Sequence, residues 1–160
     1  MDLTTVQLSV PEDSNIILGQ AHFIKTAEDL YEIIATGCPH ARFGLAFCEA
    51  SGPCLVRAEG NDDGLKAAAV ENARNLGAGH AFVIVLKDAF PINILNAVKS
   101  CPEVCRIFCA TANPVQAVVA ETAQGRGILG VIDGAPPLGT ETEADVGRRR
   151  EFLRKIGYKR

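Results

Sequence analysis

Six consecutive apolar residues, Ala81-Phe82-Val83-Ile84-Val85-Leu86, form the longest such run in the chain, held between Gly77-Ala78-Gly79-His80 and Lys87-Asp88. The run is far short of the ~18 to 20 residues that cross a bilayer. Its β-branched and aromatic content reads instead as the most apolar strand of the fold, with His80 at its start. Strand signals of the same kind fall at residues 4–10, 42–48, 54–58, 80–86, 104–110, 115–121 and 127–132.

Helical signals alternate with these strands. Thr26-x-x-Asp29 opens a segment carrying Leu30, Ile33 and Ile34 that Gly37 closes. A second helix runs over 61–76, with Asn61 as cap, Asp62 and Asp63 in the first turn, an apolar face of Leu65, Ala69, Ala73 and Leu76, and Gly77 as its stop. Asp88 with Pro91 begins a third, and Thr142-x-x-Asp145 a fourth. The interleaving predicts an α/β fold, a mixed β-sheet flanked by helices, in a single domain spanning residues 1–160.

Charge and cysteine usage narrow the setting. Residues 148–160 hold seven of the 16 basic residues and one of the 19 acidic ones, which leaves residues 1–147 at a net −9. Val146, Phe152, Leu153 and Ile156 interrupt that basic stretch at near-helical spacing, so its arginines read as a solvated or subunit-facing side rather than a nucleic-acid surface. The six cysteines sit in apolar strand-like runs without a C-x-x-C pair, as packed free thiols do. No zinc site is expected of Cys101, Cys105 and Cys109. The start, Met1-Asp2-Leu3-Thr4, lacks the basic region of a signal peptide, and a cytoplasmic protein without membrane contact is expected.

Five segments at strand ends carry candidate chemistry, since α/β proteins bind ligands there. In Glu49-Ala50-Ser51-Gly52-Pro53, Ser51 and the amide of Gly52 suit a phosphate or ribose, and Arg57 just beyond offers a planar fork; a plain Gly-Pro turn explains the segment equally well. In Gly77-Ala78-Gly79-His80, two glycines permit a sharp turn and a close ligand approach, Gly79 beside His80, whose neutral imidazole is a competent nucleophile near pH 7; a structural histidine is the plainer alternative. His22 and His40 lack such a turn. Lys87-Asp88-Ala89-Phe90-Pro91 offers a phosphate-facing Lys87, and Asp88 as a Mg²⁺ or ribose ligand or a simple helix cap. His80 and Asp88 lie at opposite ends of one strand, ~26 Å apart at ~3.3 Å per residue, so both serve one site only where subunits meet. Asn113, in Thr111-Ala112-Asn113-Pro114, suits a base edge or an Asx-turn. In Gln124-Gly125-Arg126-Gly127-Ile128-Leu129-Gly130, Gly125, Gly127 and Gly130 match G-x-G-x-x-G, but a strand follows the glycines where a dinucleotide site needs a helix, so neither NAD nor flavin is expected. Gly125, Arg126 and Gly127 remain candidates for covering phosphates. The Walker pattern and the protein-kinase H-R-D and D-F-G motifs are absent.

The segments 43–57, 77–80, 88–93, 110–114 and 124–130, with the ending Glu151-Phe152-Leu153-Arg154-Lys155-Ile156-Gly157-Tyr158-Lys159-Arg160, together resemble the adenosine-specific kinase family over nearly the whole chain. That resemblance implies a small α/β protein assembling as a trimer or a multiple of it, binding adenosine or AMP, and linked to stable phosphorylation of a histidine, carried here onto His80. The expected mechanism is phosphoryl transfer between a nucleotide and His80, and onward to adenosine, with Arg57, Lys87 or Arg126 stabilising charge and Mg²⁺ bridging oxygens. Two alternatives stand beside it: an adenine-nucleotide sensor without turnover, and a hydrolase using Cys48 or Cys54 with a histidine.

Overall fold

A computed structural model describes all residues 1–160. Eight strands and four α-helices follow in the order β1 (Asp2–Gln7), β2 (Ser14–Ala21), α1 (Thr26–Gly37), β3 (Arg42–Cys48), β4 (Val56–Gly60), α2 (Asp63–Leu76), β5 (Ala81–Lys87), α3 (Leu95–Lys99), β6 (Val104–Thr111), β7 (Val115–Glu121), β8 (Arg126–Asp133) and α4 (Glu143–Lys155), with a 3-10 turn at Pro91–Asn93 before α3. The α/β expectation holds. Within it, every ladder in both sheets is antiparallel, and the one parallel pairing is an isolated bridge between Ala78 and Arg126.

The larger sheet runs β4-β3-β5-β2-β6 and the smaller β1-β7-β8. The apolar run of β5 lies at the centre of the larger sheet, and all of Ala81 to Leu86 is buried. Its alternation divides the core in two. Phe82, Ile84 and Leu86 pack with Leu30 and Ile34 of α1 and Val98 of α3, whereas Val83 and Val85 pack with Leu65, Ala69, Ala73 and Leu76 of α2 and with Val115, Ala117 and Val119 of the small sheet. So α1 and α3 cover one face, and α2 shares the other with β1-β7-β8.

β2, paired with both β5 and β6, has no counterpart among the strands read from sequence. Several local details also differ from that reading. Asp62 rather than Asn61 caps α2, accepting from Leu65 N at 2.9 Å, while Asn61 bonds Phe43 N and Ala41 O, both at 2.8 Å. Thr26 does not cap α1 by its side chain but donates to Phe23 O at 2.5 Å. Asp88 caps nothing: Phe90 precedes the 3-10 turn, and Phe90 N donates to Asn93 Oδ1 at 2.8 Å. The Thr142–Asp145 capping box of α4 is present, and no residue of α4 is buried.

Gly44 is where α2 meets the sheet. A Cβ there would lie 2.1 Å from Lys66 N, so only glycine lets the first turn of α2 sit directly on β3. Farther along α2, Asn72 is fully buried and exchanges two 2.7 Å bonds with Ser9, its Nδ2 donating to the carbonyl and its Oδ1 accepting from the amide. These two contacts fix the height and the rotation of α2, whose C-terminal turn becomes a wall of the site.

Candidate functional site

The C-terminal turn of α2 meets the β7–β8 hairpin over one end of the large sheet, and between them opens a cleft of about 730 Å³, a size that accommodates a nucleoside or nucleotide. Gly77 ends α2 in the left-handed conformation (φ 57°), its amide donating to Ala73 O at 3.0 Å, and turns the chain into β5. The Ala78–Arg126 bridge ties that turn to the start of β8. Opposite, Thr122 and Gly125 exchange backbone bonds of 2.9 and 3.2 Å across a tight hairpin. Gly79, Gly125, Arg126 and Gly127, named from widely separated segments, therefore line one space, together with Arg74, Gln124 and Thr122.

The two arginines differ in how they are held. Arg126 Nη2 pairs with Glu121 at 2.9 Å and its Nη1 donates to Asn75 O at 3.2 Å, near the carbonyl end of α2. Arg74 also sits in the last turn of α2 but has no carboxylate partner. Across the cleft, Glu49 lines the wall with its side chain only 8% exposed and accepts from Arg57 Nε at 2.9 Å. Glu49 holds Arg57, which does not itself line the cleft, and neither do Ser51 and Gly52 in the turn beside Glu49.

His80 is placed differently. Its amide donates to Cys48 O at 2.8 Å, and its backbone is left-handed (φ 62°), a conformation that a non-glycine residue adopts at a cost. The half-buried imidazole stacks on Phe47, centroids 5.7 Å apart and planes 10° apart. Phe47 belongs to the α1 face of the core, so His80 projects to the side of the sheet opposite the cleft. Arg57 is the cross-strand partner of Phe47, and cross-strand partners share a face, which puts Arg57 on the side to which the imidazole turns.

Lys87, Asp88 and Asn113 gather at the other end of the large sheet. Lys87 donates to Glu12 O at 3.3 Å, Asp88 lies 3.9 Å from Arg42, and Asn113 donates to Asp133 at 3.0 Å. None of the three lines the cleft, and the length of β5, about 23 Å at 3.3 Å per residue, is what separates them from it. Asp88 is therefore no ligand for a metal ion in the cleft of the same chain. The carboxylates at hand there are Glu49 and Glu121.

The thiols offer no nucleophile at neutral pH where they are buried. Burial pushes the Cys48 thiol up to about 11, although it lines the cleft. Cys109 is raised to about 11 by the same cause, and Cys101 by burial and then by its bond to Glu103. Cys101 and Cys109 are buried and Cys105 exposed. The donor atoms gathered around Cys101 are carboxylates, Asp29 and Glu103, which Lys25 bridges at 3.2 and 3.6 Å.

With this geometry in place, the comparisons with known proteins decide the family. A model described as adenosine specific kinase matches residues 6–159. The chain belongs to the adenosine specific kinase family. A solved structure of like shape is the crystal structure of PH1918 protein from Pyrococcus horikoshii OT3, at 43% identity and a TM-score of 0.94, with 99% of this chain and 98% of that chain covered. No protein of curated function matches. The resemblance carried by the 77–80 and 124–130 motifs is thus borne out as family membership, and those two motifs are the ones that meet in the cleft. No helix of this family member is long and apolar enough to cross a membrane.

Proposed function

We propose that the protein binds AMP or a related adenine nucleotide in the cleft between α2 and the β7–β8 hairpin and takes part in phosphoryl transfer to or from it. The observation that carries this reading is the convergence of two guanidinium groups from different elements, Arg74 and Arg126, on a glycine-lined space. Planar guanidinium forks match phosphate oxygens, and glycines let the backbone close on them. Arg74, without a partner inside the chain, is free to meet a phosphate; Arg126, anchored on Asn75 O, would exchange Glu121 for one. In a transfer reaction such charges stabilise the departing and arriving oxygens. Mg²⁺, where used, would enter on the nucleotide's own phosphates, with Glu49 or Glu121 as the available carboxylates.

Titration calorimetry with AMP and with adenosine tests the assignment. Arg126→Ala and Arg74→Ala should each weaken AMP at least tenfold, as loss of a charge-assisted bond does, while adenosine, lacking the phosphate, changes little. Equal losses for both ligands, or none for AMP, would remove the phosphate from this cleft.

Phosphorylation of His80 is a second proposal, supported by its left-handed backbone and by Arg57 on the same face of the sheet. Forming the N–P bond would break the donor's P–O bond and release the imidazole proton. Phosphate incorporation measured by mass spectrometry in wild type and in His80→Asn, a residue that tolerates positive φ, decides the matter: equal labelling excludes His80. A homotrimer, or a multiple of it, is carried as part of the same proposal. Light scattering measures it. AMP binding without any product under every donor tried would favour the sensor reading over turnover.

A further inference from the structure

Every second residue of β2 from Ile16 faces the α2 side of the large sheet, and the first two, Ile16 and Leu18, are fully buried apolar side chains of that core. The third is Gln20. Its cross-strand partner is Ala81, two residues before Val83 of the same face, so the register sends the Gln20 carboxamide toward the end of α2 and the start of β8. There Gln20 and Phe108 border a recess of about 60 Å³ whose other walls include Ala78, Gly79, Arg126 and Gly127. Those last four also line the cleft.

Gln20 is half-buried, and its side chain forms no hydrogen bond within the chain. No side-chain polar atom of the protein is both sealed from solvent and unpaired, so the carboxamide, with its donor and acceptor ends, opens onto the recess it borders. A water molecule takes up about 30 Å³ of the liquid, which gives the recess room for roughly two. Arg126, the cation that the cleft offers to a phosphate, borders both spaces. So does Gly127, where an added Cβ would meet nothing within 4 Å. At that point no methyl stands between the recess and the cleft.

We propose that Gln20 orients a water molecule in this recess against the phosphate held by Arg126, and that the protein thereby hydrolyses the phosphate monoester it binds. The inference rests on the phosphate reading of the cleft and adds to it an acceptor, water, and a residue that positions it. A side-chain amide that orients the attacking water is a recurring device of nucleotide hydrolysis. The water oxygen forms a bond to phosphorus as the bond from phosphorus to the ester oxygen breaks. One water proton passes by way of a phosphate oxygen to the departing ester oxygen, leaving an alcohol and inorganic phosphate. Gln20 itself gains and loses no proton.

Release of inorganic phosphate from AMP by the full chain, in buffer containing Mg²⁺, tests it, with AMP affinity measured in parallel by calorimetry. Wild type should release phosphate and adenosine in equal amounts, and oxygen from isotopically labelled water should appear in the phosphate. Gln20→Met keeps the length of the side chain without its amide. It should lower kcat about a hundredfold, the cost of a misplaced reactant, and leave KM and AMP affinity unchanged. Gly127→Ala sets a methyl in the open space between recess and cleft and should lower kcat with no fall in Tm; it decides the outcome if Gln20→Met does not fold. Phosphate release at the wild-type rate in Gln20→Met overturns the proposal, as does a wild type that binds AMP and releases no phosphate. A raised KM with kcat unchanged would make Gln20 a residue that binds the nucleotide and would equally overturn the water assignment. Failure of wild type to bind AMP is a distinct result, which removes the cleft reading and this inference with it.

Discussion

Raising the pH from 9 to 11 should destabilise this protein more steeply than lysine and tyrosine titration accounts for, because three buried thiols must stay protonated in the folded chain. Cys48, Cys101 and Cys109 are each pushed from a usual value near 9 to about 11, burial being the first cause in all three. Below pH 9 the thiols are protonated folded or unfolded, and their contribution is fully present. Between 9 and 11 the unfolded chain loses protons that the folded chain keeps, so stability falls as pH rises. A rise of that size is worth about 2.7 kcal/mol per thiol, and about half as much once residual solvent screening is allowed for. Three thiols then amount to roughly 4 to 8 kcal/mol, a large share of the ~5 to 15 kcal/mol that holds a domain folded. Urea unfolding in reductant at pH 7.5, 9, 10 and 11 measures the loss. Single Cys→Ala variants lower the baseline by leaving cavities, but the informative quantity is the slope between pH 9 and 11, which each should reduce by about a third. Slopes equal to wild type in all three variants would refute the argument, and with it the reason for setting aside Cys48 as a nucleophile.

Asn72→Ala removes both bonds to Ser9 and should cost about 2 kcal/mol, seen as a fall in Tm of roughly 4 to 8 °C; an unchanged Tm would mean that the pairing of α2 with the β1–β2 connection carries no stability. Gly44→Ala forces α2 off β3, because the new Cβ would lie 2.1 Å from Lys66 N, and should cost about 3 kcal/mol in urea unfolding while also weakening AMP through displacement of Arg74 and Gly77. Should His80 accept phosphate, a nucleotide in the cleft of one chain lies across the sheet from that chain's own imidazole, so His80→Asn mixed with Arg126→Ala should regain labelling that neither shows alone. Labelling absent from the mixture but present in wild type would place transfer within one chain.

How far the sequence reveals this fold depends on what each strand touches. Burial alternates along most of residues 115–121 because one face of the small sheet is the more open, and their bounds agree with β7. Residues 81–86 are legible for the opposite reason, as a continuous apolar run at the centre of the large sheet. β2 is just as central, yet Ser14, Asn15, Gly19 and Gln20 dilute its apolar run to Ile16-Ile17-Leu18. At Gly19 the structure gives the cause: the Phe82 ring lies 2.3 Å from where a Cβ would stand, so the position must be glycine and the strand loses its signature.

The candidate site was legible in residue type and illegible in direction. Glycines flanked by an arginine at a strand start need no tertiary information to suggest phosphate, and Gly79, Gly125, Arg126 and Gly127 do meet. What decides whether His80 joins them is parity along β5. Counting back in twos from Leu86 through Ile84 and Phe82 sends His80 to the α1 face, while Val85, Val83 and Ala81 turn toward α2. Glycine has no side chain to commit, so Gly79 can line the α2 side while its neighbour's imidazole stacks on Phe47. The same period assigns Arg57, opposite Phe47, to the imidazole's side and leaves Arg74 and Arg126 to the cleft. The chain therefore presents cationic groups on both faces at one end of its central strand, and chemistry linking them must pass around the end of the sheet, where the turn at 77–80 lies, or between copies.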